Sequence, residues 1–204
     1  MALHQLFAQH HFKGFVETVP AYASLAVFYD AGTVKKNHGV NSTVFDFVKI
    51  FTEQLLKELS DITPEIQSPV ITIPVYYNGE DIALIAQEHQ LSEEEVISIH
   101  TAKIYRVFMI GFLPGFTYMG SVDERIATPR RLSPRIKVPA GSVGIAGFQT
   151  GIYPLDSPGG WQLLGQTPIK IFDKEKGNPC LLKAGDSVQF ISISNAIFQD
   201  LNEY

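Results

Sequence analysis

The segment Val138-Pro-Ala-Gly-Ser-Val-Gly-Ile-Ala-Gly-Phe-Gln-Thr-Gly-Ile-Tyr-Pro154 alternates short apolar runs with turn residues. Its apolar segments are too short for helices and are cut by glycine and proline, the residues that turn a chain. Residues 142–146 read as one such strand. The same pattern extends in both directions, with strands expected at 104–111, 161–165, 169–172 and 187–192. Many short strands joined by close Gly/Pro turns predict a compact β-barrel or sandwich. Ten of the sixteen glycines and seven of the twelve prolines lie between Gly111 and Pro168. Proline fixes φ and glycine permits close backbone approach, so this density favours a preorganised pocket over a flexible linker.

Upstream of residue 102 the period changes to that of helices. Residues 80–89 form one helical segment and the run from Leu91 a second, opened by the capping box Ser92 and Glu95 and ending near His100. A composition break at Asn78-Gly79 divides the chain into domains 1–78 and 79–204. In the first, a short helix over 3–11 precedes two hairpin strands, 14–19 and 24–29, around Pro20. After Asn41-Ser42, the residues Val44, Phe47, Val48, Phe51, Leu55 and Leu59 mark one face of a helix. A β-branched strand at 70–77 closes the domain. The expected fold is α+β: a small N-terminal α/β sandwich domain followed by a barrel.

Composition narrows the partners. With 204 residues and 45% hydrophobic content the chain can bury a real core. Its net charge of −5 argues against nucleic acid. The apolar window 104–119 is broken by Arg106, Gly111, Pro114 and Gly115 and predicts no membrane span. A lone Cys180 excludes an internal disulfide, and the start carries no secretory signature, so a reducing, cytoplasmic setting is expected. The six histidines have no paired helical spacing, and no metal site is expected.

All five arginines lie between Arg106 and Arg135, and residues 100–140 carry seven Lys/Arg against two Asp/Glu. Arginine suits bidentate holding of carboxylate or phosphate, which makes Arg130 and Arg135, each following a proline, candidate anion ligands. The alternative, structural pairing with acids elsewhere, stays open. Ser142, Gln149 and Thr150, with the N–H groups of the surrounding glycine turns, form a candidate cradle for an oxyanion or phosphate. No Walker or dinucleotide motif is present. His100 is read either as a general base or as a residue favoured by a helix C-terminus. Trp161, the sole tryptophan, is either a core aromatic or a stacking platform. Phe112, Phe116, Tyr118, Phe148 and Tyr153 add enough apolar surface for pocket and protein interface to coincide.

At these residues the sequence resembles the bacterial KipI/PxpB family, also called allophanate hydrolase subunit 1. The resemblance rests on Gly111-Phe-Leu-Pro-Gly-Phe116, Thr128-Pro-Arg-Arg131, Pro134-Arg135, Val138-Pro-Ala-Gly-Ser-Val143, Ile145-Ala-Gly147, Gln149-Thr-Gly-Ile-Tyr-Pro154 and Ser157-Pro-Gly-Gly-Trp161. It implies a cyclophilin-like barrel after the N-terminal domain. It also implies a subunit of an ATP-dependent 5-oxoprolinase that opens 5-oxoproline to glutamate, inactive alone, with ATP bound in the assembled complex. The implied partners are a PxpC-like second subunit and a PxpA-like third. Related domains are fused in urea carboxylases. Another family member inhibits sensor histidine kinase autophosphorylation, so a kinase-inhibiting module is the alternative; prolyl isomerisation follows from fold analogy alone. Within the enzyme reading His100, Arg130 and Arg135 are the expected catalytic residues, and Ser142, Gln149, Thr150, Tyr153 and Trp161 the expected substrate-binding ones. Thr117 and Gln166 depart from the family's proline and arginine, and the start is about one strand short.

Overall fold

The computed structural model describes residues 2–39, 43–60 and 69–202, and the chain forms two compact units, Met1–Gln67 and Ser68–Tyr204. In the first unit α1 (Ala2–Gln9) precedes a hairpin of β1 (Phe15–Pro20) and β2 (Leu25–Tyr29), as the alternation around Pro20 predicts. The strands pair antiparallel, with Val19 opposite Ala26. α2 (Ala31–His38) was not foreseen, because its sequence carries almost no apolar period. It is set by its ends: the Asp30 side chain accepts from the Thr33 N–H, and Gly39 takes the left-handed conformation that ends a helix. α3 (Val44–Ser60) follows, and the expected helix start at Asn41-Ser42 lies outside the described residues. Phe7, Phe12, Val34, Val48 and Leu55 form this unit's core, with Phe12 edge-on to Phe47 and Phe51.

The second unit begins with β3 (Val70–Val75), expected as the last strand of the first domain. It is instead the parallel partner of β11 (Ser187–Ser192), Val70 lying opposite Ser187 and Val75 opposite Ser192. The division therefore falls at 67/68, not at 78, because six ladder pairs hold β3 to the C-terminal sheet. Between them come α4 (Ile82–His89), α5 (Glu93–Thr101), β4 (Ile104–Ile110), β5 (Thr117–Gly120), β6 (Arg135–Val138), β7 (Ser142–Ala146), β8 (Gln149–Ile152), β9 (Ser157–Gly159) and β10 (Gln162–Gln166). α6 (Asn195–Asn202) follows β11. The Ser92–Glu95 capping box at α5 is present as read.

Seven strands run in the order β10, β7, β8, β5, β4, β11, β3. The sheet curls until Tyr76, just past β3, meets Gln166 of β10 through two reciprocal backbone hydrogen bonds of 2.9 Å. This bridge nearly closes the sheet and gives the unit the expected barrel-like form. Gly165 allows it, since a Cβ there would run into the Tyr76 carbonyl oxygen. Inside pack Ile73, Tyr105, Val107, Met119, Ile145 and Phe190, with Ile85 of α4 and Val96 of α5 against them. The strand expected at 169–172 does not form. Ile171 is buried, but only Phe172 makes a bridge, to Cys180. β6 and β9 pair as a separate two-stranded ribbon.

Candidate functional site

β7 and β8 form a hairpin whose two faces have different neighbours. Val143 opposes Ile152 and Ile145 opposes Thr150 on the core face, while Gly144 opposes Gly151 on the other. The indole of Trp161 lies against that second face: a Cβ on Gly151 would stand 3.0 Å from its Cζ3. Around Trp161 gather Phe116, Tyr118 and Tyr153. Phe116 meets all three in edge-on contacts with ring centroids 4.8 to 5.3 Å apart. Together with Phe112, Arg130, Pro134, Pro158, Gly159 and Gly160 they line a pocket of about 230 Å³. Trp161 is thus both core aromatic and pocket wall. Phe112, exposed at the rim, has φ of 70°, a left-handed conformation unusual for a bulky residue.

The arginines divide by partner. Asp81, only 3% exposed, sits at the start of α4 and receives Arg135 Nη2 on both carboxylate oxygens at 2.7 Å, Arg131 Nη1 at 3.0 Å and the Leu163 N–H at 2.6 Å. Arg135 also donates to Glu80 at 3.1 Å and to the Trp161 carbonyl at 3.2 Å. Although burial works against its charge, the Asp81 and Glu80 carboxylates raise the Arg135 pKa above its ordinary value. Arg125 is paired with Asp123. Arg130 differs: its Cζ stands 5.8 Å from the Trp161 ring centroid, and it makes no ion pair among the described residues. Arg131 and Arg135 follow the structural-pairing alternative and clamp the loop, which corrects the expectation that Arg135 is an anion ligand.

Arg130 also borders a second, open groove of about 560 Å³ lined by Leu84, Glu88, Thr128, Pro129, Arg131, Leu132, Ser133 and Gln162. The Tyr153 phenol is raised by burial, with the Arg130 and Arg135 charges partly opposing the shift, so near neutrality it is a donor and not a base.

The remaining expected residues are placed elsewhere. His100 is fully buried on the core face, stacked on Phe190 at 4.8 Å, with Nε2 3.0 Å from Thr150 Oγ1 and Nδ1 2.8 Å from the Tyr77 hydroxyl. The Thr150 hydroxyl donates to the Gly144 carbonyl, so Nε2 carries the imidazole proton and Nδ1 accepts from Tyr77. Burial lowers the His100 pKa to about 3, leaving the ring neutral. This corrects the general-base expectation: His100 and Thr150 crosslink α5 to β8 on the core face and do not line the aromatic pocket. Ser142 and Gln149 stand at opposite ends of the hairpin, and neither lines the pocket. The glycine turns offer no cradle either. Gly141 N–H donates to the Tyr153 carbonyl at 2.7 Å, Ser142 N–H to Pro139 at 3.2 Å and Gly147 N–H to Thr128 at 2.7 Å.

Asp81 was missed as a site residue. Its signal was present: a chain whose arginines all fall in one stretch needs acids from another, and Glu80-Asp81 immediately precedes a helix. Among the described residues no cluster of three or more His, Cys, Asp or Glu could hold a metal, and no helix is long and apolar enough to cross a membrane.

Comparison with known proteins identifies the family. The carboxyltransferase domain family, subdomains C and D, matches residues 1–182. A 5-oxoprolinase subunit of Bacillus subtilis (strain 168) is 47% identical over 197 residues, covering 94% of this chain and 81% of its own length. The crystal structure of PH0987, a conserved uncharacterized protein from Pyrococcus horikoshii, superposes with a TM-score of 0.62 at 41% identity, over 96% of this chain and 87% of that one. That of TTHA0988 gives 0.70 at 36% identity over 95% of this chain, which spans only 36% of TTHA0988.

Proposed function

The chain belongs to the carboxyltransferase domain family, subdomains C and D, on its 5-oxoprolinase branch, and from that membership we propose that it is the substrate-orienting subunit of a 5-oxoprolinase. The reaction is the ATP-dependent opening of the 5-oxoproline lactam to glutamate. Arg130 carries the assignment to this surface, as a guanidinium with no ion pair among the described residues at the mouth of an aromatic pocket. 5-Oxoproline is a small ring bearing one carboxylate. Trp161, Phe116 and Tyr118 suit its methylenes, and Arg130 suits its carboxylate or a phosphoryl group. The aromatic walls lower the local dielectric and strengthen that ion pair. Arg131 and Arg135, neutralised by Asp81 and Glu80 together, fix the loop so that Arg130 is held without collapse onto an internal acid.

The glycine turns do not fit ATP, since the N–H groups that would meet its phosphates are spent inside the fold. ATP contacts are therefore assigned to the PxpC-like and PxpA-like partners, and the isolated chain is expected to be inactive. The kinase-inhibitor alternative finds no support in these observations. The test is ATP consumption dependent on 5-oxoproline, by the chain alone and by the reconstituted complex. Arg130→Ala is expected to assemble normally, by size-exclusion chromatography, and to lose at least about tenfold in kcat/KM, the loss expected for one charge-assisted hydrogen bond. Full activity of the variant would overturn the anion-holding role.

A further inference from the structure

We infer that the indole N–H of Trp161 is the donor that recognises the lactam carbonyl of 5-oxoproline while Arg130 holds its carboxylate. The inference rests on the oxoprolinase reading and deepens it by naming the group that selects the ring oxygen. Both residues line the aromatic pocket, and the Arg130 Cζ stands 5.8 Å from the Trp161 ring centroid. Packing orients the indole. Gly151 of β8 lies against Cζ3, the carbon directly across the six-membered ring from Cε2, to which Nε1 is bonded. With Cζ3 turned to the hairpin, the edge that carries Nε1 points away from it. Trp161 is 4% exposed, and its Nε1 has no hydrogen-bond acceptor among the described residues. Three side-chain polar atoms there are both unpaired and without accessible surface: Thr117 Oγ1, Ser157 Oγ and Gln162 Oε1. Trp161 Nε1 is not among them, so this unpaired donor keeps surface, and it belongs to a residue that lines the pocket. An indole N–H can only donate, and an acceptor brought by a ligand completes it.

The lining narrows that ligand. The polar side chains of the pocket are Arg130, Tyr118, Tyr153 and Trp161, with no carboxylate or carboxamide side chain beside them. Arginine and tryptophan are donors without acceptor capacity, so the pocket is complementary to a molecule that presents an anion and a second acceptor joined by apolar atoms. 5-Oxoproline has this layout. Its carboxylate-bearing carbon and its carbonyl carbon flank the ring nitrogen, and two methylenes complete the ring. Amide resonance concentrates negative charge on the carbonyl oxygen, which makes it the stronger acceptor of the lactam. A site built to hydrogen-bond one group of its substrate rejects the analogue without that group, because the site's own polar atom then stays unpaired.

The test uses two analogues that hydrolysis cannot open. 3-Oxocyclopentane-1-carboxylate keeps the ring, the carboxylate and the carbonyl without the N–H; cyclopentanecarboxylate lacks the carbonyl as well. As competitive inhibitors of the assembled complex, the keto acid is expected to bind at least about tenfold more tightly than cyclopentanecarboxylate. Because Trp161 is the sole tryptophan, a complex in which only this subunit carries nitrogen-15-labelled tryptophan gives a single indole N–H resonance. Its proton is expected to move downfield with the keto acid and not with cyclopentanecarboxylate, which fills the same space and so controls for ring-current changes. Equal affinity of the two analogues overturns the inference. So does an indole resonance that moves alike with both or with neither, since the carbonyl would then be bound by another donor or by none. Failure of the complex to turn over 5-oxoproline would instead overturn the oxoprolinase reading itself.

Discussion

At the scale of single residues the site is organised by charge that is cancelled and charge that is not. Asp81 accepts two guanidiniums and a backbone N–H from a position almost without solvent, and Arg135, itself mostly buried, depends on it. Breaking such a cluster from one side leaves a buried cation uncompensated, which costs more than the intact pair contributes. Asp81→Asn is therefore expected to destabilise the second unit by about 3 kcal/mol or more. Because Arg135 also grips the Trp161 carbonyl, the emission of the sole tryptophan should shift to the red in the folded variant. Urea unfolding followed by Trp161 fluorescence checks both, and a stability within about 1 kcal/mol of wild type would show the clamp to be dispensable. The contrast with Arg130 lay hidden in the sequence. Arg130, Arg131 and Arg135 look alike in a count of charges; only the fold, which carries Asp81 across from a distant helix start, separates the two clamped guanidiniums from the one without an ion pair among the described residues.

At the scale of elements, patterns confined to one element were readable and those needing a partner were not. The Ser92–Glu95 box fixed the start of α5, and residues 142–146 and 187–192 are strands to the residue. The strand expected at 169–172 had the right apolar composition, but its pairing with 179–181 is limited to one bridge, Phe172 with Cys180. His100 shows the same limit. Its place at the end of α5 was legible, but Tyr77, Thr150 and Phe190, which enclose it, come from three other parts of the chain. That enclosure makes a pH prediction. The folded pKa is about 3 against an ordinary 6.5. Between those values the unfolded chain binds a proton that the folded chain refuses, so stability is full above pH 6.5 and falls as pH drops toward 3. The slope from this group alone is about 1.4 kcal/mol per pH unit inside the window. His100→Gln, which keeps a donor and an acceptor but cannot titrate, is expected to lower stability at pH 7 and to remove that share of the slope. Urea midpoints of both proteins at intervals from pH 4 to 7.5 give the difference, and parallel curves would mean that His100 does not titrate on unfolding.

At the scale of the whole molecule, the barrel class was legible because turns and short strands recur through the C-terminal stretch, and the closing strand was not, because β3 and its partner β11 are joined only after more than a hundred residues of chain. Composition placed the break at Asn78-Gly79, where polar residues follow a strand; pairing places it at 67/68. The two boundaries make opposite predictions about fragments. A fragment of residues 79–204 lacks β3, removes the buried side chains of Ile73 and Val75 from the core, exposes one edge of β11 and loses Tyr76, which closes the sheet on Gln166. Deleting core side chains of this kind costs several kcal/mol each, and the new edge is a template for aggregation. With a domain's total stability at about 5–15 kcal/mol, such a fragment is expected to be insoluble or to lack a cooperative thermal transition. A fragment of residues 68–204 retains every strand of the barrel and is expected to unfold cooperatively. Circular dichroism melts of the two fragments decide the matter. A cooperative transition in 79–204 would mean that β3 is an accessory strand and the composition break the true boundary, whereas folding of 68–204 alone would show the barrel to be a self-sufficient carrier of the Arg130 site.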